Sequence, residues 1–479
     1  MKKLNRILIV GAGEAGAALV NDLRQRGLGN GIAAFVDDDP SKPGTTVSGI
    51  EVRGGTSDLP VICSELEITD VIIAIPSAKT SLINRITSKV LSCSRSINIL
   101  FVPSAERFFD TVPIFPSLRE FSYSDLLGRE EFSINLDIME NYFRGKSVLI
   151  TGGGGSIGSE ICRQLLKFNV KKIIAVGRGE NSIYNLIKEM DEYSRLMPGR
   201  MPETVYMIAD VRDRRGLARV FRHSRPDIVF HAAAHKHVPL MESNECEAFQ
   251  NNVLGTDNTL SLSAEYGVSR FILVSTDKAV RPTNVMGATK RICELITAYY
   301  HNEKKLNTSA VRFGNVLGSR GSVIPLFMEQ IEKGGPVTVT DPEITRYFMS
   351  IPEASLLVIN SAAISKGGEI FVLDMGEQYR IDDIARRMIE LYGFTPDRDI
   401  KIEYTGLRPG EKMYEELFYN RDSMDRTGNE SILTLHNDSR KLSADDYCEI
   451  IETVKDGIYD MDGDSVRRFI KKFVPEYVY

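Results

Sequence analysis

Two stretches of the chain share one pattern: a short apolar run, a glycine-rich turn and then a helical stretch. The first is Arg6-Ile7-Leu8-Ile9-Val10, then Gly11-Ala12-Gly13-Glu14-Ala15-Gly16, then helical spacing to about Gly27. The second is Ser147-Val148-Leu149-Ile150, then Thr151 to Gly158, then helical spacing to about Phe168. A strand feeding a glycine turn and a helix opens a dinucleotide-binding fold, and two such turns 141 residues apart predict two of these folds in tandem. After Ser147, the short apolar runs Ile173–Val176, Val205–Ala209, Ile228–His231 and Phe271–Val274 are separated by helical patterns. Such runs imply a parallel sheet with helices on both faces. The expected class is therefore α/β, with two tandem Rossmann-like, doubly wound parallel-sheet domains. From about Arg312 the alternation is less regular, and we read that region as a substrate lid and the last strands. The expected boundaries are an N-terminal domain at 1–120, a connector at 121–141, a second domain at 142–437 and a helical tail at 438–479. The connector is polar and mixed and contains Leu126-Leu127-Gly128-Arg129-Glu130. The tail is charged.

Length and composition narrow the function. At roughly 100–200 residues per domain, 479 residues allow two to four domains, each with its own core. The formal net charge of −6 argues against non-specific nucleic-acid binding, so an anionic nucleotide would need local cationic pockets. No apolar stretch approaches ~20 residues, and the first residues lack a signal-peptide core. We expect no integral membrane segment and a cytoplasmic location. The six cysteines are scattered without a CxxC pair, which fits a reduced compartment and gives no sign of structural zinc.

Thr151-Gly152-Gly153-Gly154-Gly155-Ser156-Ile157-Gly158 matches TGxxGxxG. Gly152 permits the tight turn, Gly155 lets the backbone approach a pyrophosphate, and Gly158 lets the helix pack close to the strand. The helix N-terminus then offers free N–H groups to the phosphates. After the second strand, where an acid would bind the ribose 2′-OH of NAD, the chain has Arg178, followed by Gly179 and Glu180. Arg there favours the 2′-phosphate of NADP, and NADP is the preferred expectation over NAD. In the first domain Gly11, Gly13 and Gly16 precede Ile32–Val36 and Asp37-Asp38-Asp39. A bound ligand and a structural or oligomerising fold that has kept its glycines are both open there.

The most informative stretch runs Ser275-Thr276-Asp277-Lys278-Ala279-Val280-Arg281-Pro282-Thr283-Asn284-Val285-Met286-Gly287-Ala288-Thr289-Lys290. It follows a predicted strand and opens a helix to about Tyr300, and Met286 and Lys290 share one helix face. In short-chain dehydrogenases that spacing is Tyr-x-x-x-Lys, with Tyr as base and Lys on the nicotinamide ribose. With these motifs the chain resembles the polysaccharide-biosynthesis UDP-N-acetylglucosamine 4,6-dehydratases, within the extended short-chain dehydrogenase/reductases. Further matching stretches are Gly154 to Glu160, His231 to Pro239, Val311 to Ser319 and Thr405 to Lys412. The first domain resembles the extra dinucleotide fold of the family's larger members, including Ile73-Ala74-Ile75-Pro76-Ser77. Larger members carry a transmembrane bundle before that fold, which this sequence does not contain. They also share Met286 in place of Tyr. A thioether exchanges no proton, so the base for the first step is open.

The resemblance implies oxidation at C4 of the sugar, loss of the C5 proton and C6 hydroxyl, and return of the hydride to C6. It also implies a C-terminal substrate-binding subdomain. It implies Lys278 as the base at C5, Asp277 as the acid for the C6 hydroxyl, Thr276 on the C4 oxygen, Lys290 on the ribose and Met286 as packing beside the sugar. The expected cofactor set is Gly152, Gly155, Ser156, Ile157, Gly158, Arg178, Asp210, Val211, Ala232, Ala233, Ala234 and Lys290. Lys236, His237, Asn315, Arg346, Arg408 and Glu411 are the candidates for the UDP-sugar, since Arg matches diphosphate geometry. His231, His235 and His237 lack an accompanying Cys or acidic ligand set, and we expect no metal. The expected partner is UDP-N-acetylglucosamine or a related UDP-sugar, and a homo-oligomer is expected. Rival functions are a UDP-N-acetylhexosamine 4-epimerase and a non-catalytic dinucleotide-sensing or scaffold protein. The Asp277-Lys278 pair favours dehydration, because epimerisation needs no C5 base.

Overall fold

The computed structural model describes residues 6–25, 28–75, 82, 85–86, 89–90, 97–102, 119–120, 136–196, 201–392, 394–418, 424–435 and 441–479. Pro76, Ser77 and most of the connector, including Leu126 to Glu130, lie outside these residues. The chain divides into two compact units. One comprises Met1–Glu131, Leu326–Thr338 and Asp383–Glu403; the other comprises Phe132–Pro325, Val339–Asp382 and Tyr404–Tyr479.

The first unit holds a five-stranded sheet in the order Ile32–Val36, Ile7–Val10, Asp70–Ile73, Asn98–Phe101, Arg119–Glu120. The first four strands run parallel and the last pairs antiparallel. Alternate residues serve opposite faces: Leu8 and Val10 join one apolar cluster, and Ile7 and Ile9 the other.

The second unit is built on a nine-stranded sheet. Its order is Glu203–Ile208, Lys172–Gly177, Ser147–Thr151, Ile228–His231, Arg270–Val274, Thr308–Arg312, Ile370–Leu373, Ile432–Leu435, Met424–Arg426. The first seven are parallel and the last two antiparallel. Both units thus have the parallel sheets that the spacing predicts. The order reverses between Ser147–Thr151 and Ile228–His231, and at such a switch point a crevice opens outside the carboxyl ends of the strands. Val148, Ile150, Ile173, Phe230 and Ile272 face one core layer, while Leu149, Ile174, Val229, Phe271 and Leu273 face the other. Each fully buried large apolar side chain contributes roughly 1.5–3 kcal/mol, so these layers dominate the stability of the sheet.

Two elements add to the expected picture. Residues Leu136–Phe143, at the end of the polar connector, form a helix whose Met139 and Phe143 are buried four residues apart on one face. The charged tail forms helices Ala444–Glu452 and Gly463–Phe473, but it is not an appendage. Ile450, Val466, Ile470 and Phe473 enter the same apolar cluster as Ile292, Ile296 and Tyr299. The Tyr447 ring stacks on Tyr299 with centroids 4.4 Å apart. A charged outer face had hidden the buried stripe.

Candidate active site

The glycine turn after Ser147–Thr151 is fixed by its own backbone. Gly152 has φ +67°, and a Cβ there would fall 2.7 Å from the Ala232 carbonyl. A Cβ on Gly158 would fall 2.2 Å from the Gly152 oxygen, which explains the close seat of the helix Ser156–Leu165. Gly155 differs. It is exposed, and its Cβ would meet only the Gly152 oxygen, at 3.1 Å. Packing gives little reason for a glycine at 155; the approach of a ligand's diphosphate to the backbone gives one. Ser156 stands at the helix start with Ile157 packed against the core. The turn therefore fits a dinucleotide.

The rest of the expected cofactor set lines the same edge. Ala232, Ala233 and Ala234 follow Ile228–His231 and pass the turn at Gly152. Val211 is buried, and its carbonyl accepts from Asn258. Arg178 is exposed after Lys172–Gly177, 3.7 Å from Asp210 and 3.8 Å from Glu247. Asp210 is held mainly by Arg212, at 2.7 Å.

At the end of Arg270–Val274 the chain makes a short turn, Asp277–Ala279. Asp277 is buried and its Oδ1 gathers three donors: Thr276 Oγ1 at 2.8 Å, the Lys278 amide at 2.9 Å and Lys278 Nζ at 3.0 Å. Lys278 Nζ also donates to Asn315 Oδ1 at 3.2 Å. Burial works to lower the Lys278 pKa, but Asp277 and then Glu415 outweigh it, so the amine is held above its ordinary range. The helix Val285–Lys304 is capped by Asn284, whose side chain accepts from the Gly287 amide. Gly287 is required: a Cβ there would lie 2.2 Å from the Lys278 carbonyl. Met286 is buried in the apolar cluster, and Lys290 is buried one turn on. Burial lowers the Lys290 pKa, only partly offset by Cys293 and Glu294. Beneath, Glu294 accepts from Ser275 and Arg312, a buried network that fixes the start of the segment from Ser275.

The sugar-side candidates fall into two groups. Lys236, His237 and Arg408 are exposed cations or imidazoles at the rim. Desolvation and then Lys278 lower the Lys236 pKa, and its amine donates to Ser319 Oγ at 3.2 Å. Desolvation, then Lys236 and Arg408, lower that of His237. Arg346 is buried, and its N–H groups go to the carbonyls of Thr345, Lys412 and Met413 and to Glu411. Glu411 also accepts from Arg408, so Arg346 and Glu411 shape the loop that presents Arg408. That loop is tied to the start of the helix Val285–Lys304 by Thr283 and Asn284, which both donate to the Gly410 carbonyl.

The three histidines have different partners. His231 bonds Thr151 and Thr256, and burial pushes its pKa down to about 3, so it stays neutral. His235 meets Glu247 at 3.1 Å. Among the described residues no group of three or more His, Cys, Asp or Glu is placed to hold a metal. Sequence reasoning passed over two residues. Arg320 donates to the Gly154 carbonyl and, through its amide, to Ser156 Oγ. Glu415 lies 3.5 Å from Lys278. The charged run from Glu411 to Glu416 was the available signal for Glu415; Arg320 had none beyond its place between two glycines.

In the first unit the glycine turn is served from within. Asp37, at the tip of Ile32–Val36, accepts from the Ala12 amide at 2.7 Å and from Lys42 at 2.8 Å.

Residues 148–437 match the model of a family described as polysaccharide biosynthesis protein. The chain belongs to that family. Residues 2–90 match a CoA binding domain. The capsular polysaccharide biosynthesis protein CapD of Staphylococcus aureus is 46% identical over 413 residues, 86% of this chain and 68% of CapD. The UDP-N-acetylglucosamine 4,6-dehydratase (inverting) of Campylobacter jejuni is 35% identical over 286 residues, 59% of this chain and 80% of the relative. A UDP-glucose 4-epimerase of Rickettsia akari is 36% identical over 283 residues, 58% of this chain and 80% of the epimerase. The solved structure of Pen from Bacillus thuringiensis has 35% identity and a TM-score of 0.56, covering 63% of this chain and 92% of Pen. The family's relatives thus include nucleotide-sugar dehydratases and epimerases on the extended short-chain dehydrogenase/reductase fold. No helix among the described residues is long and apolar enough to cross a membrane.

Proposed function

We propose that the chain is a nucleotide-sugar 4,6-dehydratase that converts UDP-N-acetylglucosamine to a UDP-4-keto-6-deoxy-N-acetylhexosamine for surface glycan synthesis. The observation that carries this reading is the contact of Lys278 Nζ with Asp277 Oδ1 at 3.0 Å, beside Thr276 and Asn315. In this reading Asp277 is the acid and Lys278 the base, side by side at the carboxyl edge of the sheet, and oxidation at C4 alone would require no such pair.

The dinucleotide, NAD or NADP, is held by Gly152, Gly155, Ser156, Ile157, Gly158, Asp210, Val211, Ala232, Ala233, Ala234 and Lys290. When bound it accepts and returns the hydride. Arg178 favours NADP through its charge. The protein's part is proton traffic. The C4 hydroxyl gives its proton through Thr276 Oγ1, which points to Asp277 Oδ1 at 2.8 Å, and Asp277 becomes the acid. Lys278, once its ammonium has released a proton to solvent, takes the C5 proton, while Asp277 protonates the departing C6 hydroxyl and water leaves. Lys278 then returns its proton to C5 as C6 is reduced, and both residues regain their starting charge. The cycle needs no ionisable group at 286, in keeping with Met286. Lys236, His237, Arg408 and Asn315 bind the UDP-sugar, with Arg346 and Glu411 supporting the loop.

A 4-epimerase on the same scaffold is the second reading, favoured by the epimerase among the relatives. NMR of UDP-N-acetylglucosamine incubated with the protein and catalytic dinucleotide separates them. A 4-keto-6-deoxy product without added reductant supports dehydration; a C4 epimer with its C6 hydroxyl intact overturns it.

A further inference from the structure

Lys278 stands among more charge than its neighbour Asp277 supplies. Glu415 is buried, and its Oε1 lies 3.5 Å from Lys278 Nζ and 3.8 Å from Arg346 Nε. Its Oε2 is buried without a hydrogen-bond partner among the described residues, as is Asp277 Oδ2. Arg346 cannot serve Glu415 fully, because its terminal nitrogens are taken by Thr345, Lys412, Met413 and Glu411. A buried carboxylate needs a counter-charge, and Lys278 is the nearest one. The groups facing Lys278 are therefore Asp277 and Glu415, the Asn315 amide oxygen, and the opposing charges of Arg346 and Lys236.

We propose that Glu415 is a positioning residue that orients Lys278 and governs when its ammonium gives up a proton. This rests on the reading of Lys278 as the base at C5. The base must be neutral, whereas two flanking carboxylates favour the ammonium. Activity therefore has an acidic limb, present above the titration of Lys278 and lost as pH falls through it, and Glu415 keeps that limb high. In return the amine, once free, is a stronger base. Removing the Glu415 charge moves the limb to lower pH and lowers the plateau rate.

The test follows the lysine itself in the full-length chain. Lysine-labelled protein is titrated by NMR, and the Lys278 side-chain resonance is assigned by its loss in Lys278→Arg. In Glu415→Gln the proton affinity of Lys278 falls about tenfold, one pH unit, and the acidic limb of kcat moves the same way. Glu415→Asp, which keeps the charge but withdraws it, gives a smaller fall in the same direction and serves if the Gln variant does not fold. Glu416→Gln, on an exposed pair with Arg281, leaves Lys278 unmoved. An unchanged Lys278 titration in the Glu415 variants overturns the proposal, whatever their rates. A wild-type protein that gives no 4-keto-6-deoxy product instead overturns the dehydratase reading, and the titration still decides the role of Glu415.

Discussion

Lys278 and Asp277, adjacent in sequence, turn back on each other so that Nζ lies 3.0 Å from Oδ1, both beneath the rim of the sheet. A strand end followed by a tight turn makes this possible, because the chain reverses before the two side chains diverge. The contact predicts that Asp277→Asn and Lys278→Ala keep fold and dinucleotide binding but lose elimination. Loss of one acid or base typically costs about 10²–10⁴ in rate, read as product formed per unit time. Wild-type rates from either variant would remove the assigned roles.

The glycine turn predicts a split between stability and binding. Gly158→Ala drives a Cβ to 2.2 Å from the Gly152 carbonyl and should lower the melting temperature markedly. Gly155→Ala meets only that same oxygen, at 3.1 Å, and should fold with little loss. It should nevertheless bind dinucleotide at least tenfold more weakly, measured by calorimetry. Equal behaviour of the two variants would contradict the account of the turn.

These glycines were legible because their constraints are local: a turn, a helix and a strand within a few residues. So were the parallel strands, whose apolar runs are continuous because both faces are buried. Arg320 was not legible, and Glu415 only as one member of a charged run, since each reaches its partner from a loop far along the chain. Arg346 reads in sequence as a candidate for the UDP moiety or a structural ion pair, and only the fold shows its N–H groups turned to backbone carbonyls and Glu411. The tail reads as charged because its buried residues, such as Val466 and Ile470, are interleaved with Arg and Lys.

The proposed preference for NADP rests on Arg178. Its guanidinium is exposed and makes two long ion pairs, 3.7 Å to Asp210 and 3.8 Å to Glu247. Arg178→Ala should weaken NADP more than NAD in direct binding. Equal losses for both would remove the preference.

Met286 and Lys290 share a helix face but not a role. Met286→Leu roughly conserves volume, costs under ~1.5 kcal/mol in stability and should retain substantial activity. Lys290→Ala should lose both dinucleotide affinity and turnover. Met286→Tyr restores a phenol at the general base position and should give no gain in kcat, because Thr276 already points to Asp277 at 2.8 Å. A large gain would show that the first proton leaves by another route.

The central claim is that the hydrogen removed from C4 returns to C6 of the same sugar. UDP-N-acetylglucosamine carrying deuterium at C4, turned over with catalytic unlabelled dinucleotide, tests it directly by NMR and mass spectrometry of the product. The account predicts a 4-keto-6-deoxy sugar with the deuterium in its C6 methyl group. Deuterium retained at C4 of an epimer with its C6 hydroxyl intact would contradict it.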